Sequence, residues 1–339
     1  MIIKLTGFYK NKGIELDIDT IVRPVEENLA QFEKNFTKLL HSSVPLAEQV
    51  VQYIAGRRGK RVRPLTVFLA ARLHGDINDQ TMKMCYVVEL LHTATLVHDD
   101  VVDNSNERRG SPTINHLWDN KISVLVGDFL FSKTLTTLLE IKNHTALDIF
   151  SQTTKVITEG ELLQIERAED WTIDEDTYFD LILKKTASLF SASCQLGALS
   201  VGSDQQSQER INKVGEYFGM AFQIRDDILD YTGDEKVLGK PVGNDIRENK
   251  VTLPLIYALK NAPPEKNAAM VQLLEKDHIN KNDIHSLVTF VKNEGGVDYS
   301  MRLVKFYVKK ALTLLDAYPQ SLPKQAFIDL LEFTLDRQK

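Results

Sequence analysis

The chain has few of the features that mark several large classes of protein. It contains only two cysteines, Cys85 and Cys194, and both lie in apolar helical patterns without the spacing of a metal site. We therefore expect buried free thiols in a reducing compartment. A run of about 18 consecutive apolar residues is missing, and the N-terminus has no apolar segment of a secretory signal. The sequence predicts a soluble cytoplasmic protein without a membrane span.

An excess of basic residues is also missing. The formal net charge is -6 over 339 residues, which argues against general nucleic-acid binding. Linkers rich in glycine, serine or proline are absent, and no short repeat is visible. We therefore expect a single domain over residues 1–339, with residues 1–20 as an N-terminal extension.

Helical periodicity dominates what is present. Hydrophobic residues make up 43% of the chain and recur at i, i+3, i+4 and i+7. A strand is suggested only for Met1–Thr6. The sequence thus predicts an all-α protein. The predicted helices are residues 21–40, 46–55, 65–73, 82–98, 122–139, 146–164, 178–197, 208–230, 255–260, 268–274, 284–293, 297–315 and 325–335.

Two acidic clusters of the form DDxxD are the most informative feature. They comprise residues 99–103 and 226–230, and each follows a strongly apolar helical pattern. Positions i and i+4 share a helix face, so the outer carboxylates of each cluster are predicted to point the same way. Such carboxylates repel each other unless cations lie between them. Magnesium suits the pattern because it takes one or two carboxylates together with water and phosphate oxygens. A single cluster would more often be a solvated helix end, whereas two favour a magnesium–diphosphate site.

Taken together, the motifs resemble those of the trans-isoprenyl diphosphate synthases, the polyprenyl synthase family, in its long-chain type. The similarity runs from about residue 46 to about residue 257. It implies the isoprenoid synthase fold, a ring of long helices around a deep central cavity with the two acidic clusters facing each other across its mouth. The motifs are RGKRVRP (58–64), ELLHTATLVHDDVVDNSNERRG (89–110), GDFLFSK (127–133), EGELLQ (159–164), KKTASLF (184–190), FQIRDDILD (222–230) and LGKPVGNDIRENKVTLPL (238–255).

The resemblance implies a magnesium-dependent condensation of isopentenyl diphosphate with an allylic diphosphate such as farnesyl diphosphate. Asp99 and Asp103 would hold two ions and Asp226 the third. The supporting acidic residues would be Asp100, Asp227 and Asp230. No side-chain nucleophile is needed, because the allylic diphosphate ionises to a carbocation that the isopentenyl double bond attacks. The proton that is then lost would go to the departing diphosphate.

The same resemblance assigns the basic and polar residues. Isopentenyl diphosphate would be bound by Lys60, Arg63, His92 and Arg109, and the allylic diphosphate by Arg108. Lys185, Thr186 and Gln223 would lie beside the reacting carbons, and Lys240 and Lys250 would close over the allylic diphosphate from a glycine-containing flap. Taken singly, the KRVR segment would more often be a solvated turn and His92 a core histidine. Many family members carry two glycines before the lysine, whereas Arg58 precedes Gly59 here.

Product length is predicted from the helix before the first acidic cluster. Ala94 and Thr95 lie one turn before Asp99, where bulky aromatic residues close the tunnel in short-chain relatives. Small residues there imply a heptaprenyl to nonaprenyl product, C35 to C45, for a quinone side chain. Leu90, Leu91 or Phe150 would then form the floor. The alternative is that Ala94 and Thr95 are only close-packing positions.

Other functions remain open from the sequence. The product could be a farnesyl or geranylgeranyl diphosphate. A terpene cyclase would need neither the second basic pocket nor a second DDxxD cluster, and a non-catalytic subunit would tend to lose carboxylates. The resemblance also implies a homodimer packed through the helix over residues 122–139, whose apolar residues exceed one face. The alternative is that this helix is buried in the core. The sequence does not decide whether a small partner subunit is required for activity.

Overall fold

The computed structural model describes residues 18–57, 59–108, 110–168, 170–233, 242–276 and 278–337. Its regular structure is almost entirely helical, as predicted. In these ranges the strands are two short ones, β1 (Glu107–Arg108) and β2 (Ser111–Pro112), which pair antiparallel directly after the first acidic cluster. This hairpin is too short to leave an alternating pattern in the sequence. The suggested strand over Met1–Thr6 lies outside the described residues.

The predicted helices occur in the predicted order, with ends that differ by a few residues. The helix predicted over residues 21–40 is divided by a 3₁₀ turn, Arg23–Val25, and two short helices over residues 114–118 and 244–247 were not predicted. The helix over residues 82–98, for example, begins earlier, at Asp79. It does so because the side chain of Asn78 accepts the backbone N–H of Thr81 at 3.0 Å, and the hydroxyl of Thr81 accepts the N–H of Asn78. In chain order the helices are α1 (Ile18–Val22), α2 (Glu26–Leu39), α3 (Pro45–Gly56), α4 (Val62–His74), α5 (Asp79–Val102), α6 (Ile114–Trp118), α7 (Asn120–Ile141), α8 (His144–Glu166), α9 (Glu175–Ile182), α10 (Ser188–Ser200), α11 (Gln205–Thr232), α12 (Asn244–Arg247), α13 (Leu253–Asn261), α14 (Pro264–Leu274), α15 (Lys281–Asn293), α16 (Gly296–Leu315) and α17 (Leu322–Asp336).

The helix predicted over residues 178–197 is divided. α9 and α10 are joined by a π-helical turn, Leu183–Ala187. In a π turn the backbone hydrogen bonds span five residues instead of four, and such turns occur frequently at functional sites. This turn carries Lys185 and Thr186, both singled out by the sequence.

The described residues form two compact units. Unit 1 comprises residues 18–154, 189–215 and 312–333, and unit 2 comprises residues 155–188, 216–311 and 334–337. The expectation of a single domain over residues 1–339 stays a prediction.

In unit 1 the core holds α5, the helix that ends in the first acidic cluster. The rings of Phe32 and Phe36 on α2 stack at 5.1 Å between centroids, and Tyr86 on α5 stacks on Phe32 at 5.5 Å. Phe68 on α4 meets Phe32 edge-on at 6.5 Å. Offset and edge-on pairs of this kind add to the stabilisation from burial. α5 and α4 therefore both pack against Phe32 of α2.

In unit 2 a separate apolar cluster fixes the C-terminal half of α11, which carries the second acidic cluster. Tyr231 is fully buried there, and its hydroxyl pairs with the Thr252 hydroxyl at 3.1 Å. Burying this much apolar surface gives the helix end a defined position. The other buried members are Ile246, Leu255, Ala258, Leu259, Leu274, Ile284, Leu287, Val288, Phe290 and Val291.

Replacing Gly197 with alanine should destabilise unit 1. A methyl group on Gly197 of α10 would overlap the carbonyl oxygen of Val67 on α4, a backbone atom that cannot rotate away. We expect the free energy of unfolding to fall by about 1–3 kcal/mol, the usual cost of overpacking. Chemical denaturation measures this. Gly56→Ala is the matched control, because a methyl group there meets nothing within 4 Å. Equal stability of the two variants would contradict the close approach of α4 and α10.

Candidate active site

The first acidic cluster lies at the C-terminal end of α5. Asp99 is in the last turn, and Asp103 is the C-cap residue, whose N–H donates to the carbonyl of Asp99 at 2.8 Å. Both side chains are half-buried. The C-terminal end of a helix carries partial negative charge, so carboxylates are disfavoured there and cations favoured. A cation bound at the C-terminal end of α5 would therefore be stabilised.

Asp100, between them, points elsewhere. It is buried, and its Oδ1 accepts the Nε–H of Arg108 at 2.7 Å. Burial raises the pKa of the Asp100 carboxyl, and the neighbouring Arg108 opposes that rise. Arg108 belongs to β1, so this ion pair fixes the hairpin arginine beside the acidic cluster. Asp100 thus supports the cluster instead of facing solvent with it.

Two of the residues predicted to bind isopentenyl diphosphate, Arg63 and His92, lie in contact in unit 1. Nη1 of Arg63, in the first turn of α4, lies 3.0 Å from Nε2 of His92 on α5. An arginine only donates, so Nε2 of His92 is the acceptor in this contact. The guanidinium also lies 4.7 Å from the ring centroid of Phe190. Lys60 is exposed in the loop before α4.

The second acidic cluster divides between surface and interior. Asp226 is exposed, whereas Asp227 is buried and Asp230 is fully buried. Oδ2 of Asp230 accepts the N–H of Asp245 at 3.1 Å, which holds the start of α12 against α11. Lys250 follows α12, and its Nζ donates to Glu248 at 2.8 Å.

Asp226 is paired with Arg337, a residue that sequence reasoning missed. The guanidinium of Arg337 donates to Asp226 and, at 3.2 Å, to the carbonyl of Phe222, and it lies 3.9 Å over the Phe222 ring. Arg225 donates to the carbonyl of Arg337 at 2.8 Å. The carboxylate of Asp226 therefore already has a protein cation as its partner, and a metal ion at Asp226 would compete with Arg337. The residues are 111 positions apart, so no local sequence signal indicates the pair.

A chain of hydrogen bonds connects Asp227 to the π turn. Oδ2 of Asp227 accepts the Tyr178 hydroxyl at 2.6 Å, and Oδ1 accepts Nε2 of Gln223 at 2.8 Å. Oε1 of Gln223 in turn accepts the Thr186 hydroxyl at 2.8 Å. Burial and the nearby charge of Asp245 raise the pKa of Asp227, while the donors from Tyr178 and Gln223 lower it. The bonds orient two of the predicted reaction-centre residues, and Tyr178 was not predicted.

Lys185 is the third predicted reaction-centre residue. Its Nζ donates to Glu161 at 2.7 Å and to Gln164 at 3.0 Å, both on α8. Gly160 permits this approach, because a methyl group there would meet the side chain of Lys184 and the backbone N of Lys185 at 2.9 and 3.0 Å. All three α8 residues lie in the EGELLQ segment, which the sequence marked without assigning them roles.

Of the remaining predicted residues, two lie outside the described part of the chain and five lie within it. Arg109 and Lys240 lie outside the described residues. Ala94 is buried on α5, and the half-buried Thr95 donates its hydroxyl to the carbonyl of His92 at 3.0 Å. The three floor candidates, Leu90, Leu91 and Phe150, are all buried.

The acidic residues fit magnesium better than a transition metal. Over the described part of the chain, no three histidine, cysteine, aspartate or glutamate side chains converge as a ligand set. Magnesium does not need such a set, because one or two carboxylates suffice when phosphate oxygens and water complete its octahedron. Asp99 and Asp103 are oxygen donors at a helix C-terminus, a place that attracts cations. Asp226 also offers carboxylate oxygens, but a metal ion there would compete with the Arg337 guanidinium.

Comparison with known proteins gives consistent matches. Residues 44–291 match the family model described as polyprenyl synthetase. The all-trans-nonaprenyl-diphosphate synthase (geranyl-diphosphate specific) of Rhodobacter capsulatus is 37% identical over 94% of this chain and 97% of its own. Heptaprenyl diphosphate synthase component 2 of Geobacillus stearothermophilus is 36% identical, covering 90% and 94%. A crystal structure of polyprenyl synthase from Caulobacter crescentus, complexed with calcium and isoprenyl diphosphate, superposes with a TM-score of 0.90 at 35% identity, covering 98% and 100%. Together with the helical architecture, this confirms the predicted isoprenoid synthase fold.

Proposed function

The chain belongs to the polyprenyl synthetase family of prenyltransferases, and from that premise we propose that it condenses isopentenyl diphosphate with an allylic diphosphate, such as farnesyl diphosphate, to a long all-trans chain. The observation that carries this proposal is the pairing of two complete acidic clusters with a separate basic pocket at Arg63 and His92. Two diphosphates need two kinds of site. One diphosphate leaves and needs metal ions, and the other stays and needs protein cations.

The metal-dependent half of the reaction involves the acidic clusters. We propose that Asp99 and Asp103 hold two magnesium ions and Asp226 a third. When bound, magnesium would neutralise the charge of the departing diphosphate. Arg108, whose Nε–H is taken by Asp100, would direct its terminal NH₂ groups to the same diphosphate. Arginine suits this task because its planar fork matches phosphate oxygens.

The second half involves the isopentenyl diphosphate and the new bond. Lys60, Arg63, His92 and Arg109 would grip its diphosphate, which is kept throughout. Thr186 and Gln223 would present oxygen dipoles to the allylic cation, with Lys185 orienting the diphosphate that leaves. The isopentenyl double bond attacks the cation, and the proton is lost to the departing diphosphate. Lys240 and Lys250 would close over the site.

Tyr178→Phe tests the hydrogen-bond chain within this scheme. The variant removes one donor from the buried Asp227, so Gln223 and Thr186 lose part of their orientation. We expect kcat to fall about tenfold, as misplaced catalytic dipoles usually cost at least this much. Steady-state kinetics at saturating substrates measures the effect.

Tyr231→Phe is the matched control for Tyr178→Phe. It removes a buried tyrosine hydroxyl in the same unit, but the hydrogen bond of this hydroxyl is to Thr252. We expect kcat within twofold of the unsubstituted chain. A Tyr178→Phe enzyme as fast as the Tyr231→Phe enzyme would show that the chain of bonds has no part in turnover.

We further propose a C35 to C45 product for a quinone side chain. The support is the small size of Ala94 and Thr95, one turn before Asp99, together with relatives named for nonaprenyl and heptaprenyl products. The R. capsulatus name specifies geranyl diphosphate, so geranyl as well as farnesyl diphosphate belongs in any assay. The two cysteines are buried and unpaired, which suits the cytoplasm.

We propose a homodimer that packs through α7. Its outer face exposes the apolar side chains of Val124, Leu125, Leu135 and Leu139, which recur at helical spacing. Among the described residues, α7 is also the helix whose length and composition would suffice to cross a membrane, a test that core helices of soluble proteins pass as well. A second copy of the chain would cover the exposed side chains without a membrane.

The experiment that tests the reaction is an omission series with the purified chain. Labelled isopentenyl diphosphate, an allylic diphosphate and magnesium are combined, and each is left out in turn. We expect label to enter a longer diphosphate only when all three are present. Consumption of the allylic diphosphate without isopentenyl diphosphate would indicate a cyclase. No reaction in any mixture would indicate a non-catalytic subunit or a missing small partner.

A further inference from the structure

Arg61 has an unusual backbone conformation. It lies between the two basic residues of the predicted pocket, directly before α4, with φ of 50° and ψ of 34°. The left-handed region is disfavoured for a residue with a side chain. Such a conformation persists only where its surroundings enforce it, and residues of this kind cluster at functional sites.

The contacts of the Arg61 side chain hold its backbone in this left-handed conformation. Its Nε donates to Glu33 on α2 at 2.5 Å, and its Nη1 donates to Glu89 on α5. The guanidinium carbon lies 5.2 Å from the ring centroid of Phe36. The Arg61 and Glu89 side chains are only 14% and 6% exposed, so this is an interior network with one cation between two carboxylates. Its removal would leave buried charge uncompensated.

The network is built next to the pocket. Glu89 and His92 are three residues apart on α5 and therefore share a face. Arg61 binds the first of them and Arg63 binds the second. The residue before α4 and the first turn of α4 are thus attached to α5 at two successive points, one structural and one belonging to the predicted diphosphate pocket. The position of the first attachment determines where the second can form.

We propose that Arg61 is a positioning residue for isopentenyl diphosphate, an assignment that rests on the proposed function. By holding the left-handed turn against Glu33 and Glu89, it fixes Lys60 and Arg63 relative to His92. Lysine cannot replace it, because an ammonium lacks the planar fork that reaches two carboxylates in fixed directions. Displacements of about 1 Å at such a site reduce function by up to about a hundredfold.

The test is the binding of isopentenyl diphosphate alone, without magnesium or an allylic substrate, measured by calorimetry on the full chain. We expect Arg61→Lys to weaken the Kd about tenfold. In steady-state assays the KM for isopentenyl diphosphate should rise by the same factor, while kcat and the KM for the allylic diphosphate stay within twofold. Glu33→Gln keeps a hydrogen-bond acceptor, so its Kd for isopentenyl diphosphate should lie between those of Arg61→Lys and the unsubstituted chain. This second variant provides the test if Arg61→Lys does not fold.

Lys324→Met is the control for a merely structural effect. Lys324 is a buried cation in the same unit, and its Nζ donates to the carbonyl of Tyr318 at 2.8 Å. This variant should lose stability without a change in Kd. Equal Kd values for the unsubstituted and Arg61→Lys chains would overturn the positioning role. An unsubstituted chain that binds no isopentenyl diphosphate would instead overturn the proposed function, so the two failures are distinct.

Discussion

Replacing Asp99 with asparagine is expected to lower kcat/KM about 10³-fold while leaving the fold intact. The amide keeps the shape of the side chain but removes the negative charge that attracts magnesium. A metal ion contributes several kcal/mol to stabilising a developing charge, and a 10³-fold loss corresponds to about 4 kcal/mol. The side chain is half-buried at the C-terminal end of α5, where the helix dipole makes the loss of a negative charge favourable to stability.

The measurement for Asp99→Asn is steady-state incorporation of labelled isopentenyl diphosphate over a range of magnesium concentrations. Asp76→Asn is the matched control, because Asp76 is an exposed acidic residue whose partner is Arg72. It should keep activity within twofold of the unsubstituted chain. An Asp99→Asn enzyme that retained more than a tenth of the activity would remove Asp99 from the metal site.

Ala94→Phe is expected to shorten the longest product by several isoprene units. Ala94 is buried on α5, five residues before Asp99, so a benzyl group there would fill the space into which the growing chain is proposed to extend. Overpacking should cost about 1–3 kcal/mol of stability without preventing folding. Separation of the products by chain length, with farnesyl diphosphate as primer, provides the measurement.

Leu96→Phe controls for the presence of a new aromatic ring on α5. It lies two residues further along and so on a different face of the helix. Its products should match those of the unsubstituted chain. If Ala94→Phe also left the product distribution unchanged, Ala94 would be a packing position only, and the tunnel would have to be limited elsewhere.

Features encoded locally could be predicted from the sequence. Apolar periodicity gave the all-α class and the order of the helices, because each helix buries one face regardless of its partners. The acidic clusters and the arginine-rich loop before α4 were visible because their residues are adjacent in the chain. The short hairpin at Glu107 and the π turn at Lys185 were not visible, since neither changes the local composition.

Contacts between distant segments could not be predicted. Tyr178 and Asp227 are 49 residues apart, and Arg61 is 28 residues from both Glu33 and Glu89. Helical spacing also gave Asp226 and Asp230 a common face, whereas the structure exposes the first and buries the second fully. Packing of α12 on α11 causes this difference, because the buried carboxylate accepts a backbone N–H that local spacing does not reveal.

Incubation of the purified chain with magnesium, labelled isopentenyl diphosphate and either farnesyl or geranyl diphosphate, with products resolved by chain length, tests the proposed synthesis most directly. A ladder of products that ends between C35 and C45 is the predicted result, and it would establish a long-chain synthase that needs no partner. Products that stop at C20, or no incorporation of label, would contradict it.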